Sequence, residues 1–191
     1  MANRGLIYGR FNPIDPETNK YKNNAPLSIG RIISNTFAPE YEAATLYADD
    51  ALAERDDMFK SGALNTTVAD DDNEVEAALY GNTANQASGV VKNVDDVKPE
   101  YGYGHIVVQQ KQKQRYYKVE FFPRCLAGNI THDANTRGES TEFNTTSIEA
   151  TVYPLETSIN GLAKGVWQQV KTFDALADAK TFLDGLLTPA T

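Results

Sequence analysis

The side chains of this chain best suited to chemistry are few and far apart. His105 and His132 are the only groups able to shuttle protons near neutral pH, and no short His-x-x-x-His spacing joins them into a metal pair. Cys125 stands seven residues before His132 with no second cysteine or paired histidine, so a small buried apolar group is favoured over a zinc ligand or thiol nucleophile. The run Asp70-Asp71-Asp72-Asn73-Glu74 offers oxygen ligands at alternate positions, as a hard cation would need. It lacks the glycine and the closing glutamate of a calcium loop, and the simpler reading is that these acids cap a following helix. Asp49-Asp50 and Asp56-Asp57 could be named as a general acid and base. Neighbours on a strand face opposite ways and no aromatic sugar-binding cluster surrounds them, so a solvated acidic segment is favoured. Neither a G-x-S-x-G nucleophile turn nor a G-x-x-x-x-G-K-[ST] phosphate loop occurs. The expectation is therefore a protein without catalytic residues, cofactor or metal.

The elements that would carry these residues read mostly as strands. Short extended segments alternate with Gly, Pro, Asn and Asp punctuation, as in a mainly β domain. The clearest pair is Tyr103 to Gln110 and Tyr116 to Pro123; in the second, Tyr117, Val119 and Phe121 alternate with Tyr116, Lys118, Glu120 and Phe122. Lys111-Gln112-Lys113-Gln114-Arg115 between them has no Gly or Asn for a primed two-residue turn, so the turn type stays open. A long strand is predicted from about Glu142 to Pro154, and shorter ones over Arg4 to Phe11, Ser28 to Phe37, Ala43 to Tyr47, Ser61 to Val68 and Val166 to Thr172. Two helices are predicted. One spans Asp71 to Gly81, with capping acids before it and glycine after; the other spans Asp174 to Leu187, with Leu176, Ala179, Leu183 and Leu186 on one face and Asp174 as cap.

With 191 residues the chain suits one domain, residues 1–191, carrying long loops or arms over about 13–26, 38–60 and 82–101. The net charge of −8 disfavours tight nucleic-acid binding, which depends on clustered cations. There is no apolar run long enough to cross a membrane as a helix, and the opening residues lack a signal-peptide core, so synthesis in a cytosol is expected.

Several pieces, in order, resemble the major tail (tube) proteins of long-tailed, non-contractile bacteriophages. These are Leu46-Tyr47-Ala48-Asp49-Asp50-Ala51-Leu52-Ala53-Glu54, then Phe59-Lys60-Ser61-Gly62-Ala63-Leu64 and Asp71 to Val75. Tyr101-Gly102-Tyr103-Gly104-His105-Ile106 follows, then Tyr116 to Val119, Glu142-Phe143 with a Thr-rich strand, and Gly165-Val166-Trp167 before a closing helix. The resemblance implies a mainly β (α+β), sandwich- or barrel-like subunit with one flanking helix and a C-terminal helix. It also implies assembly as a homo-oligomer, six copies to a ring, with rings stacked into the tail tube of a virion made in a bacterial host cytoplasm. Partners would be tape-measure, tail-tip and tail-terminator proteins, and double-stranded DNA would pass through the lumen without specific binding. The candidate inter-ring contact is the segment carrying Tyr47, Asp49, Asp50, Asp56, Asp57 and Phe59, with residues 82–101 as a second. The alternatives are a tube protein of a contractile tail or injection machine, which shares the ring architecture, and a carbohydrate-binding sandwich. The last is disfavoured by the single tryptophan, Trp167.

Overall fold

The computed structural model describes residues 1–48, 51–70, 72–85, 89–132 and 145–189. In chain order the elements are β1 (Ala2–Asp15), β2 (Lys20–Tyr21), β3 (Leu27–Ser28), β4 (Ile32–Ala48), β5 (Ala51–Val68), α1 (Asn73–Tyr80), β6 (Thr83–Asn85), β7 (Gly89–Val91), β8 (Glu100–Lys111), β9 (Gln114–His132), β10 (Thr146–Val152), β11 (Gln169–Phe173) and α2 (Leu176–Leu187). The protein is mainly β, with one flanking helix and one C-terminal helix. All strands except β6 and β7 join one antiparallel sheet in the order β2-β1-β8-β9-β10-β5-β4, with β3 on β1 and β11 on β9. The sheet curls until β1 comes back beside the start of β4, where a Cβ on Gly9 would lie 2.6 Å from the Ile32 side chain.

Curling puts apolar side chains on both faces. The inner cluster joins Phe11, Leu64, Val68, Tyr101, Tyr103, Phe122, Cys125 and Ile148 with Leu79 of α1. The outer cluster joins Ile106, Val119 and Phe121 with Ala179, Leu183 and Leu187 of α2. Neighbouring Phe121 and Phe122 thus serve opposite cores, as strand alternation requires. Phe122 and Cys125 share a face despite an odd separation because β9 bulges between them: Tyr103 pairs with Phe122 but Tyr101 with Cys125. A second irregularity, between Ile130 and Ala127 against β10, keeps both of those residues in the inner core.

Several expectations change. The expected loop over 38–60 is largely strand: residues 38–48 continue β4 and residues 51–60 belong to β5, forming one long hairpin. The 13–26 stretch is partly β1 and β2, and 82–101 contains the short hairpin β6–β7 before β8 begins. The predicted strand from Glu142 is seen from Thr146 onward, its first residues lying outside the described ones. The β8–β9 turn is two residues long, with Lys111 opposite Gln114. Gln112 and Lys113 both take positive φ, 48° and 69°, the left-handed conformation of a primed turn without the residues that favour it.

At α1, Asp72 accepts a hydrogen bond from the Glu74 N–H, while Gly81 ends the helix at φ 72° where a Cβ would lie 2.3 Å from the Val97 carbonyl oxygen. Asp174 does not cap α2. The N-cap is Ala175 with no side-chain bond, and Leu187 is buried deeper than Leu186. Asparagines hold the other end of α2. Asn12, fully buried, donates to the Leu187 and Asn23 carbonyls and accepts from the Asn23 N–H, and Asn160 donates to the Leu186 carbonyl. Neither helix is long and apolar enough to cross a membrane.

Candidate functional site

The β4–β5 hairpin is the feature that the rest of the fold least explains. β10 covers β5 only as far as Gly62, where its register with Val152 ends. Beyond that point β4 and β5 pair with each other down to Ala48 opposite Ala51. From Tyr41 and Phe59 to the tip this is eight residues of β4 and nine of β5, roughly 25 Å of two-stranded ribbon. Among the described residues β4 forms ladder pairs with β5 alone, and beyond its start, where Ile32 packs beside Gly9 of β1, no strand pairs with its other edge. An isolated ribbon of two strands gains little stability in water, and open edges invite pairing with another chain.

Its root is anchored by aromatics. Phe59 stacks on Trp167 at 4.2 Å and 14°, Trp167 on Phe37 at 5.6 Å and 24°, and Phe37 meets the buried Phe122 at 4.8 Å. Tyr41 meets Phe59 edge to face at 6.0 Å and is itself 56% exposed. A register shift between Glu40 and Tyr41 places a bulge at this root, where ribbons bend. Trp167 therefore spends ring surface on the arm, whereas a sugar platform needs an open ring face.

The register places Phe59 opposite Tyr41, Asp57 opposite Ala43, Asp56 opposite Ala44, and Tyr47 opposite Leu52 beside a second irregularity. Asp49 and Asp50 lie outside the described residues. Thus Tyr47, Asp56, Asp57 and Phe59 share one projecting hairpin. The candidate segment, Tyr41 to Phe59, took in Tyr41, but sequence reasoning missed Phe37 and the anchoring role of Trp167; the signal was a pair of aromatics on one hairpin and a third over a hundred residues further along the chain. In the arm Lys60 and Glu42 form an ion pair at 3.6 Å that is exposed on both sides and contributes little.

The second expected contact, residues 82–101, is tied down locally. The Asp96 carboxylate accepts from the Asn93 N–H and from Asn82 Nδ2, which hold its pKa below the usual range. Lys98 Nζ donates to the Ala127 and Gly128 carbonyls and sits 4.4 Å over the Tyr80 ring. Val94 and Val97 remain exposed. Beside them runs a groove of about 920 Å³ between the end of β1 and α1, lined by Pro13, Ile14, Leu27, Ala78 and Val97 among others.

The groups considered for chemistry are engaged elsewhere. Cys125 is fully buried and burial pushes its thiol pKa well up, away from the reactive thiolate. His105, also buried, places Nε2 3.4 Å from the Glu120 carboxylate. That contact, helped by Lys118, holds the Glu120 carboxyl down at about 2 against the opposing cost of burial. His132 Nε2 lies 3.5 Å from Glu76. Asp70 accepts from the backbone and guanidinium of Arg31, and Asp72 caps α1. Among the described residues no three His, Cys, Asp or Glu side chains converge as a metal set. No protein-family model matches the chain, and no curated protein matches it.

Proposed function

We propose that the chain is a structural subunit that works by self-association, of the kind that builds the tail tube of a long-tailed bacteriophage. The observation that carries this reading is the β4–β5 arm, a ribbon with open edges that projects beyond the sheet and is anchored by Trp167 at its root. Open edges of this length are a liability in a monomer and become an interface when a second copy pairs with them. Contacts between an arm and a different surface of the next copy are head-to-tail, and such contacts close into rings. In this reading rings, six copies each, stack into a conduit for the genome, with tape-measure, tail-tip and terminator proteins setting its length and ends. The acidic balance of −8 suits a bore along which DNA slides without sticking.

The test is negative-stain electron microscopy with size-exclusion light scattering, at low and high protein concentration and with tail-tip proteins added. Rings or hollow tubes are expected. A monomer under all of these conditions overturns the reading. Replacing residues 41–59 by an Asn-Gly turn is expected to leave a folded subunit that no longer assembles.

A further inference from the structure

The two longest hairpins of this fold carry opposite charge and end at the same end of the sheet. Over the β8–β9 tip, Lys111, Lys113 and Arg115 are exposed, and residues 106–119 contain four cations and no acid. Lys118 is occupied by Glu120, but Lys111, Lys113 and Arg115 form no salt bridge with any described residue. The described part of the β4–β5 arm, residues 40–48 and 51–60, holds Glu40, Glu42, Glu54, Asp56 and Asp57 against Arg55 and Lys60, a net charge of −3.

Register fixes the common end. Gly62 of β5 stands beside Val152 of β10, and Val152 beside Cys125 of β9. β5 and β9 are both antiparallel to β10, so both run the same way. From that level the start of each strand lies about eleven residues, roughly 35 Å, further along in the same direction. β10 ends there, and β11 takes its place beside β9 through the pairing of Gln169 with Phe121. The arm therefore leaves the sheet while the basic hairpin continues in it.

Resting on the self-association reading, we infer that neighbouring copies are joined side by side, the acidic arm of one lying against the basic β8–β9 tip of the next. In a ring whose copies all face one way, features at the same end of each subunit come to the same height. An arm that bends at its Glu40–Tyr41 bulge can then reach sideways instead of only across to the next ring. Opposite charge on two surfaces of one chain favours head-to-tail order and disfavours arm-to-arm or tip-to-tip pairing.

The test compares the assembled fraction, by light scattering and electron microscopy, for the wild type and three full-length variants: K111E/K113E/R115E, D56K/D57K, and the five substitutions together. Far-UV circular dichroism and thermal melting establish that each variant folds. Each separate reversal is expected to lower assembly at least tenfold, and the combined variant to recover most of it. Raising the salt from about 50 mM to 500 mM should weaken wild-type assembly, because exposed charges are screened. Wild-type-like assembly of both separate reversals, or no recovery in the combined variant, overturns the proposal and leaves the self-association reading standing. A wild type that never assembles overturns that reading itself. If the tip reversal abolishes retention of duplex DNA while leaving assembly intact, the tip is a phosphate-binding surface and the proposal is wrong.

Discussion

Trp167 lies flat against Phe59, with ring centroids 4.2 Å apart and planes 14° from parallel, so the sheet's last connection and the root of the arm share one contact. Since Trp167 is the only tryptophan, its fluorescence reports on the arm directly. Trp167→Ala is expected to cost about 2–3 kcal/mol in urea unfolding, below the range for fully buried aromatics because Trp167 is only half-buried. Trp167→Phe should recover more than half of that. Equal losses in the two variants would mean the stack contributes nothing.

The β8–β9 turn holds Gln112 and Lys113 in a conformation that costs L-residues about 1–2 kcal/mol each. Gln112→Asn with Lys113→Gly supplies the residues a primed turn favours, and should raise unfolding free energy by about 1–2 kcal/mol. Denaturant unfolding at a concentration where the protein is monomeric checks this; no gain would show that the strain is absent. The same change removes one cation from the tip, so faster assembly is not expected to accompany it.

Asn12 serves three backbone groups with one buried amide. Asn12→Ala leaves the Leu187 carbonyl without that partner at the end of α2, and is expected to cost about 2–4 kcal/mol. Hydrogen exchange should locate the loss in α2 and the Asn23 loop. A uniform loss across the sheet would contradict the role assigned here.

The Glu120 carboxyl, at about 2 in the folded protein against an ordinary value near 4.5, stabilises the fold when ionised. That contribution is complete above about pH 4.5 and is lost as pH falls toward 2. The loss is on the order of 3 kcal/mol over that interval. Glu120→Gln should therefore be less stable than the wild type near pH 6 and differ from it least near pH 2. Parallel pH-stability curves for the two proteins would remove the His105–Glu120 pair from the account.

The mainly β fold, both helices and the β8–β9 pair were legible because they rest on local signals: period-two alternation, capping acids before Asn73, and Gly81 after Tyr80. The arm was not. Residues 39–60 hold several acids, alanines and a proline, which score as loop, yet cross-strand pairing with each other overrides that preference. The primed turn at Gln112 and Lys113 and the Ala175 cap were illegible for the same reason, since surrounding strands and the α2 packing face impose what the local residues do not favour. The candidate site was half readable: its acidic composition is in the sequence, but its anchor depends on Trp167 reaching Phe37 and Phe59 across the fold.

Strand β9 pairs with residues 100–111 along one edge and with residues 146–152 and then 169–173 along the other. A chain emerging from the ribosome cannot finish this sheet until almost all of it has been made. Its β4–β5 ribbon, by contrast, needs only neighbouring residues and can close within microseconds. Each nascent chain thus exposes a finished, open-edged ribbon well before its core exists. Chains on adjacent ribosomes, if crowded, would meet through that ribbon first, making slow completion of β9 the stage at which aggregation competes with folding.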